Sequence, residues 1–490
     1  MQLSPHCTLY ILSIILNTIL SIIRTWSALT NWQENKRDFP SNSTIRRQKM
    51  SPNPDFVPIS SLGIKPIPSR GKGRVVTTNM WLKEKQIDDG AEGLWRVHDK
   101  IYDLTEFVHK HPGGSDWLTL TKGTDITEAF EVHHLTEFPN EILKKYFVKN
   151  ATTERNSPYT FEEDGFYRIL KKKIQPVLRN CPKESYTKSK LITDSLLVLS
   201  FLFSIFAVKF WSFGLGAFGG VFLGMVTIAA HNYLHMKDNF RIYYFQFSFL
   251  QVRESRISHA LSHHLYTNTI TDLEIAMFEP LLNYLPVEKK PMQKVVSVML
   301  VPIICLTFFH KPAIERIINL PTQYKQLRFT DLLGLLLPIC MYVFGNDDLL
   351  SVFIMWNFVL VCGGTYMSFV GFNAGHHHPD VFHDGDTPRG KKFDWGLGQL
   401  EALLERKEIT GSHFLVLTSF GDHALHHFFP TLDHGQLQHL YPVFKEVCNQ
   451  FNVDLRMVSQ IETIKGNFQQ LVRVEPNPNP TDLLKYSKSK

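Results

Sequence analysis

The chain alternates between polar stretches and long apolar runs, and the apolar runs predict membrane-spanning helices. Residues 191–208 and 213–230 predict a helical hairpin, and 349–372 carries no charged side chain. Two shorter apolar runs, 295–309 and 332–344, each contain a proline. A spanning helix needs about 20 apolar residues. We expect four spans, in which 332–344 pairs with 349–372 while 295–309 lies in the membrane interface.

The first 76 residues predict no packed domain. Residues 1–30 contain an uncharged apolar run over 8–23, which fits a membrane anchor, a cleaved signal peptide or a non-native extension upstream of Met50. No Lys or Arg precedes the run, although a signal peptide requires one. Residues 31–76 are rich in Pro, Ser, Asn, Lys and Arg, a composition that predicts a disordered basic linker.

The rest of the chain divides into a small polar module and a large apolar domain. Residues 77–150 hold nine basic and thirteen acidic side chains with short β-type and helical runs, which predict a small acidic α+β module. We expect residues 151–190 to be a flexible linker that lets this module swing between partners. Residues 191–445 then form an all-α membrane domain with about four transmembrane helices, followed by a C-terminal tail over 446–490. The fold class is therefore multidomain, a small α+β domain followed by a helical membrane domain.

Composition excludes several classes of protein. The chain has 52 Lys+Arg against 46 Asp+Glu, a formal net charge of +6 over 490 residues, which is weak for a nucleic-acid binder. Its six Cys lie far apart without a CxxC pair, so neither a disulfide scaffold nor a Cys-based zinc site is expected. The 22 His are the unusual feature of the composition.

One group of histidines lies in the acidic module. Residues 95–114 end in His-Pro-Gly-Gly, where the proline and glycines favour a tight turn. This stretch resembles the haem-binding core of cytochrome b5, and residues 123–134 resemble the second ligand helix of that family. The resemblance implies haem b held by two axial imidazoles, which leave no open position for oxygen. It assigns His111 as one ligand and leaves His133 and His134 open for the second. His134 is favoured, because related domains with the same one-residue shortening use that position.

The other histidines are clustered beside the apolar runs. Fourteen of the 22 fall in three windows, five in 231–264, four in 376–383 and five in 423–439. Each window follows an apolar segment, so we expect the imidazoles to gather at one membrane face. Residues i and i+4 share a face of a helix, so an HxxxH or HxxxHH pattern offers several nitrogens to one metal. Neutral imidazole suits iron, whereas zinc is saturated by about four ligands.

Together these patterns resemble the membrane fatty-acid desaturase and hydroxylase superfamily over residues 190–445. The resemblance implies a non-haem diiron centre, two iron ions held by eight or nine histidines. His377 is included because it follows Asn373 by four residues, which resembles the extra ligand element of the stearoyl-CoA desaturase branch, where the Asn reaches iron through water. His376 and His378 are expected beside the ligands, and His434 and His439 at a protein surface. The predicted ligands, which are also the predicted catalytic residues, are His231, His235, His259, His263, His264, His377, His423, His426 and His427.

The chain departs from the front-end desaturases that carry an N-terminal cytochrome b5 domain. Its third box begins with His423, where those enzymes usually have Gln, and three residues instead of two separate His259 from His263. The triple His376–His378 is a further departure. As a whole, the chain resembles the insect cytochrome b5-related proteins, which share the fusion of a haem domain with a desaturase-like domain.

The resemblance implies an oxidoreductase that uses O₂, the diiron centre and electrons from its own haem domain to desaturate fatty acyl chains. It implies an NADH-cytochrome b5 reductase as partner, a fatty acyl lipid or acyl-CoA as substrate, and the endoplasmic reticulum membrane as location. The haem domain and the histidines are expected on the cytosolic side, because residues 311–330 carry four basic side chains and one acidic one. Two alternatives stay open, a lipid hydroxylase of the same superfamily and a non-enzymatic membrane-anchored haem electron carrier.

Overall fold

The computed structural model describes residues 59–67, 70, 76–323 and 328–486. The predicted apolar segment 1–30 lies outside the described residues, and so does most of the predicted linker 31–76.

The described end of that linker is ordered, so the expectation of disorder is wrong for this part. The Ser60 hydroxyl and the Ser61 backbone N–H donate to the two carboxylate oxygens of Asp384 at 2.9 and 2.7 Å. Leu62 and Ile64 are buried in a small apolar cluster. These contacts stabilise a segment whose composition alone would leave it unfolded.

The acidic module is the predicted small α+β domain. Its three strands form an antiparallel sheet in which they lie in chain order, with Trp95 opposite Tyr102. Buried apolar side chains from the strands and helices, among them Trp95, Leu104 and Leu118, form its core. The elements are α1 (Thr78–Asp88), β1 (Trp95–Val97), β2 (Lys100–Tyr102), a 3-10 helix (Thr105–Lys110), α2 (Ser115–Thr121), α3 (Thr127–His133), α4 (Phe138–Leu143), a 3-10 helix (Lys144–Tyr146) and β3 (Phe147–Asn150).

The predicted flexible linker 151–190 is instead ordered and packed. It contains β4 (Tyr159–Thr160) and α5 (Phe166–Arg179). Phe166, Leu170 and Ile174 recur at helical spacing, so that one face of α5 is buried in the main hydrophobic core. A segment held in this way cannot act as a free tether.

Two long helices follow, α6 (Lys183–Lys209) and α7 (Phe213–Leu234), and they form the predicted hairpin. After α7, and before the second half of the helical domain, the chain forms four short elements. They are a 3-10 helix (Phe240–Ser248), α8 (Val252–Ser255), a π-helix (Arg256–His263) and α9 (Leu273–Ala276).

The second half of the helical domain begins with α10 (Pro291–Thr307), α11 (His310–Gln323), a 3-10 helix (Phe329–Leu335), α12 (Leu336–Phe344) and α13 (Leu349–Phe372). Within the described residues, α6, α7 and α13 are long and apolar enough to cross a membrane. Helix α10 and the start of α11 form a further candidate span, bent by 70°. The upper count of four therefore agrees with the expectation. The fourth candidate is not 332–344, because α12 has only 9 residues and a span needs about 20.

Glycines let α7 and α13 approach closely. A Cβ atom added to Gly220 would lie 2.5 Å from the carbonyl oxygen of Val359, and one added to Gly224 would lie 2.7 Å from that of Gly363. Small residues at such crossings are typical of membrane helix pairs. The close crossing fixes the two helices relative to each other.

The remaining elements form a layer over the ends of these helices. They include the region predicted as a C-terminal tail, which is ordered to residue 486 and buries Leu471. Strand β4 pairs in parallel with Phe393–Asp394, and Glu405–Arg406 pairs in parallel with Met457–Val458. The elements are β5 (Phe393–Asp394), α14 (Trp395–Glu401), β6 (Glu405–Arg406), α15 (His413–Ser419), α16 (His423–Phe428), α17 (His434–Leu437), a 3-10 helix (Gln438–Leu440), α18 (Tyr441–Gln450), β7 (Met457–Val458) and α19 (Gln460–Val472).

Candidate metal centre

The first pair of histidines lies where α7 ends. His231 is in the last turn of the helix and His235 caps it four residues later, so both imidazoles lie on one face. Their ring centroids are 4.9 Å apart, and both side chains are buried. The apolar helix therefore delivers two ring nitrogens to one place at its end.

The second set lies on the π-helix. The backbone N–H of His264 donates to the carbonyl oxygen of His259, five residues back, at 2.9 Å. This wider turn brings the Nε2 atoms of His259 and His264 to 2.9 Å from each other. His263 lies on another side, with its ring 4.5 Å from that of His376. A π-turn accommodates one extra residue in a helix, and here it absorbs the third residue between His259 and His263.

The third set lies on α16, which is a regular α-helix. His423 and His427 are four residues apart, and their Nε2 atoms are separated by 3.1 Å. His426 lies on another face, where its Nε2 atom is 3.3 Å from that of His231. Helix α16 therefore contributes imidazoles in two directions.

These side chains form two adjacent groups of ring nitrogens. Cluster A consists of His231, His235, His259, His264 and His426, with ligand atoms within 4.8 Å of one another. Cluster B consists of His263, His376 and His427, which meet the same criterion, together with His423. In cluster B, the Nε2 atom of His423 lies 2.8 Å from that of His376. The rings of His264 in cluster A and His427 in cluster B stack at a centroid distance of 4.0 Å.

The arrangement of cluster A fits a metal ion. The Nε2 atom of His231 lies 2.5 Å from that of His259 and 3.1 Å from that of His235. A neutral imidazole has one N–H and one lone pair, so these nitrogens cannot all satisfy one another, whereas a cation between them would accept several lone pairs. Burial, with neighbouring histidine charges, holds the pKa of His264 and His426 well below the usual range. The rings are therefore in the neutral form that binds metals.

His376 and His377 have exchanged their predicted positions: His377 was expected among the ligands and His376 beside them. His376 lies in cluster B, whereas the ring of His377 stacks on Tyr284 at 3.7 Å, with 8° between the planes. Asn373 and His377 have helical i,i+4 spacing, but α13 ends at Phe372. The following loop therefore brings the third residue after Asn373, rather than the fourth, to the other imidazoles.

Carboxylate and amide oxygens hold the outer nitrogens of several rings. The Nδ1 atoms of His259 and His263 lie 2.7 Å from Glu274 and 2.9 Å from Asp272. Burial opposes protonation of His263, but the carboxylates outweigh it and raise its pKa to about 9, so a metal ion at Nε2 would have to displace a proton. Gln399 lies 3.0 Å from Nδ1 of His427. Such contacts orient a ring and leave Nε2 directed to the site.

The outer histidines of the windows differ in their surroundings. His434 is buried, against the expectation of a surface position, because its ring stacks on His426 at 4.6 Å and its Nδ1 atom lies 2.7 Å from Asn232. His439 is half-buried, and His378 lies 3.7 Å from the carboxylate of Asp380.

The acidic module brings the rings of His111 and His134 close together, with their planes nearly perpendicular at 86°. Their ring centroids are 6.1 Å apart, which leaves room for an ion between the rings. Each Nδ1 atom lies 2.9 Å from a backbone carbonyl oxygen, that of Gly114 and that of Phe130, so each Nε2 keeps its lone pair. Burial lowers the pKa of His134 to about 4. His133 points away, with its ring 5.2 Å from that of Trp117. The pair fits two axial ligands of a haem iron.

Comparison with known proteins accounts for both sites. Residues 186–459 match the family described as Fatty acid desaturase. The chain belongs to the fatty acid desaturase family. Residues 78–151 match the Cytochrome b5-like Heme/Steroid binding domain, so this desaturase-family chain carries a fused cytochrome b5 domain. The expectation of such a fusion is confirmed.

Two of the relatives match along most of the chain, and a third matches one shorter stretch. A cytochrome b5-related protein of Drosophila melanogaster is 41% identical over 416 residues, which cover 84% of this chain and 95% of the relative. An acyl-lipid (8-3)-desaturase B of Dictyostelium discoideum is 23% identical over 79% of this chain and 92% of its own length. Human cytochrome b5 type B is 38% identical over 20% of this chain and 67% of its own length. No solved structure matches the chain.

Sequence reasoning did not find all of the residues that surround the desaturase site. His376 and His434 were expected outside the ligand set or at the surface, and neither spacing nor hydropathy distinguishes them from their neighbours. Asp272 and Glu274 follow the second box in the run Thr-Asp-Leu-Glu, and acidic residues so close to a histidine box were a signal that could have been used.

Proposed function

We propose that this chain is a membrane-bound fatty acyl desaturase with two non-haem iron ions in clusters A and B and haem b in its cytochrome b5 domain. The convergence of nine buried or nearly buried imidazoles from three distant parts of the chain carries the proposal. When bound, an iron pair of this kind supplies O₂ activation and hydrogen abstraction from an unactivated C–H bond. Relatives named as acyl-lipid desaturases support an acyl-lipid substrate, and an acyl-CoA is the alternative.

The proposed ligands follow the two clusters. One iron would be held by the five imidazoles of cluster A, and the other by His263, His376, His423 and His427. This set replaces His377 of the sequence prediction by His376. Imidazole donors suit iron, and the carboxylate of Glu274 lies beside His259 and His263.

The chain's own residues prepare the site for these ions. Asp272 and Glu274 accept from the outer nitrogens of His263 and His259, which keeps their Nε2 lone pairs free for metal. The apolar side chains of α16 itself, Leu425 and Phe428, are buried in the main hydrophobic core. A buried apolar shell of this kind limits the access of water to the site.

The cytochrome b5 domain supplies electrons in this proposal. His111 and His134 would be the axial ligands of haem b, and bis-imidazole ligation leaves no position for oxygen. The haem is therefore a one-electron carrier and not a site of oxygen chemistry. Nothing in the sequence resembles a nicotinamide or flavin fingerprint, so an NADH-dependent reductase would be the partner that reduces it.

We place the chain in the endoplasmic reticulum membrane, with both sites on the cytosolic side. Three or four candidate spans support a multi-pass protein. The excess of basic residues in 311–330 supports a cytosolic position for that segment.

The test is a lipid profile of cells that supply the reductase and express the wild type, His426→Ala or the control His439→Ala. We expect new double bonds with the wild type and the control, and none with His426→Ala, whose haem spectrum should be unchanged. Iron analysis of the purified wild type should give about two non-haem irons per haem, since each cluster holds enough ligands for one. Hydroxylated lipids would favour the hydroxylase, and haem iron alone would favour the electron carrier.

A further inference from the structure

The cytochrome b5 domain and the desaturase domain share one hydrophobic core. Trp81 donates from Nε1 to the carbonyl oxygen of Thr271 at 2.8 Å, and Trp117 lies beneath the guanidinium of Arg256 at 4.9 Å. The shared core contains Trp81, Trp117 and Val132 from the first domain and Ile257, Leu261 and Phe428 from the second. Contacts of this kind are typical of the inside of a domain rather than of a transient encounter.

The acidic side chains of α3, the helix that leads to His134, are neutralised inside this interface. Glu128 accepts hydrogen bonds from Arg155 at 2.5 Å and from the Tyr266 hydroxyl at 3.0 Å. Glu131 accepts from Arg168 of α5 at 2.5 Å. Both carboxylates are buried, so they are not available to an external basic protein.

The turn that carries His111 is also in contact with the desaturase domain. A Cβ atom added to Gly114 would lie 2.6 Å from a carboxylate oxygen of Asp238. Arg256 donates to Asp238 at 2.6 Å and to Asp116 at 3.3 Å. Asp238 follows His235 of cluster A by three residues, so the turn beside one site lies against the loop beside the other.

His133 lies in the seam between the two sites. Its Nε2 atom is buried without a hydrogen-bond partner. Its ring lies 5.2 Å from that of Trp117, which packs against Arg256 at the start of the second box. The helix that leads to His134 therefore faces the desaturase domain.

We propose that the cytochrome b5 domain is a dedicated donor that works from this docked position, so that its haem is closed to basic soluble acceptor proteins. The proposal depends on haem binding at His111 and His134, but not on desaturation. Carboxylates beside a redox centre accelerate encounter with basic partners, and here the chain's own arginines occupy them.

The test measures how fast pre-reduced, detergent-solubilised full-length protein is oxidised by ferric cytochrome c, a small basic haem protein, under anaerobic conditions. One electron leaves the ferrous haem, which becomes ferric, and one cytochrome c becomes ferrous, so no bond or proton is required to change. Haem absorbance in a stopped-flow instrument follows the reaction. The readout needs neither acyl substrate nor O₂, and its dependence on the concentration of cytochrome c separates it from electron transfer within the chain.

The variant Arg168→Glu places a carboxylate against Glu131 and should open the seam. Lys172→Glu is the matched control, because it makes the same charge change on the same helix at a side chain that is 56% exposed and pairs with Glu163. We expect second-order rate constants below about 10⁶ M⁻¹s⁻¹ for the wild type and Lys172→Glu, with little salt dependence. Arg168→Glu should react at least tenfold faster.

A wild-type rate constant above about 10⁷ M⁻¹s⁻¹ that falls steeply with salt would overturn the proposal, and so would an unchanged rate in Arg168→Glu. If that variant does not fold, a protease site inserted between Thr152 and Thr153 replaces it. After cleavage, the cytochrome b5 domain should stay with the desaturase domain in gel filtration, and its release would refute permanent docking. Absence of a haem spectrum would refute the proposed haem binding instead, while the cleavage experiment would still test docking.

Discussion

Two consecutive histidines, His376 and His377, have different surroundings, and this difference predicts different effects of substitution. The Nε2 atom of His376 lies 2.8 Å from that of His423, whereas the ring of His377 stacks on Tyr284. We expect His376→Ala to lower iron affinity in cluster B by at least tenfold, by analogy with lost ligand-shell contacts. His377→Ala should keep both irons. Iron per haem in the purified variants measures this, and loss of iron from His377→Ala alone would restore the spacing argument from Asn373.

A second prediction concerns Asp272, whose Oδ2 atom contacts two groups. Its Oδ2 atom lies 2.9 Å from Nδ1 of His263 and 2.9 Å from the backbone N of Asn268. Asp272→Ala removes the group that orients His263, and such losses weaken metal binding by about 10–100-fold. Asp272→Asn keeps an acceptor oxygen and should recover part of the affinity. Iron titration monitored beside the haem spectrum tests this, with the exposed Asp99→Ala as the control; equal affinity in all three variants would contradict the positioning role.

At the scale of single residues, helical spacing was sufficient for the paired histidines of the first and third boxes. The pairs His231/His235 and His423/His427 follow helical spacing, and the structure brings each pair together. The exception, His377, follows Asn373 across the end of a helix, where i,i+4 spacing no longer describes direction. The order of loop residues depends on tertiary contacts such as that of His376 Nδ1 with the carbonyl oxygen of Ala402 at 3.0 Å.

At the scale of elements, the π-helix Arg256–His263 predicts the effect of deleting one residue from the second box. Removing Ala260 should turn the π-turn into an α-turn, in which the two outer histidines of the box again share a face. We therefore expect this variant to retain both non-haem irons. Deletion of Ala424, the matching second residue of the third box, shortens a regular α-helix and should rotate His426 and His427 away by about 100°.

The two deletions form a matched pair, because both alanines are fully buried. Iron per haem and the lipid profile measure the outcome. Equal loss of iron from both variants would show that the second box does not tolerate the shorter spacing, and the explanation of the extra residue by the π-turn would be wrong.

Other elements were missed because their stability comes from outside themselves. Helix α5 was expected to be a linker, since its length and its lysines gave no sign of burial. Its apolar face is covered by side chains more than 200 residues away in the chain, such as Phe428 and Phe444, whose rings lie 5.9 and 6.4 Å from Phe166. Helix stability in proteins arises mainly from such packing, which a local pattern does not contain.

At the scale of the whole molecule, α5 joins the two functional sites. The Tyr167 hydroxyl lies 3.4 Å from the carbonyl oxygen of Glu131, next to the haem-ligand histidines, and 3.2 Å from that of Phe428, which ends the third box. One side chain therefore contacts the helix of each site. The domain division 77–150, 151–190 and 191–445 describes the sequence, but the middle segment is part of the structural core of both neighbours.

The buried pair Arg155 and Glu128 makes this union sensitive to acid. Although burial raises the pKa of Glu128, Arg155 and then Ser157 outweigh it, and the pKa lies below its usual range. A carboxylate whose native pKa is below its unfolded value stabilises the folded state above the unfolded value, about 4.3 for Glu. This contribution is lost as the pH falls through the native pKa. Acid should therefore weaken the attachment of the cytochrome b5 domain.

The prediction is tested by thermal unfolding followed at the haem absorbance, because loss of the cytochrome b5 fold releases the ligand pair. As the pH falls from about 5 through the native pKa of Glu128, the wild type should lose more stability than Glu128→Gln, which has no such proton to take up. Glu141→Gln, at a 66% exposed side chain, should follow the wild type. Arg155→Met leaves Asp125 and Glu128 buried without their cation and should cost about 3–5 kcal/mol at neutral pH. Parallel pH curves for the wild type and Glu128→Gln would mean that this ion pair does not hold the domains together.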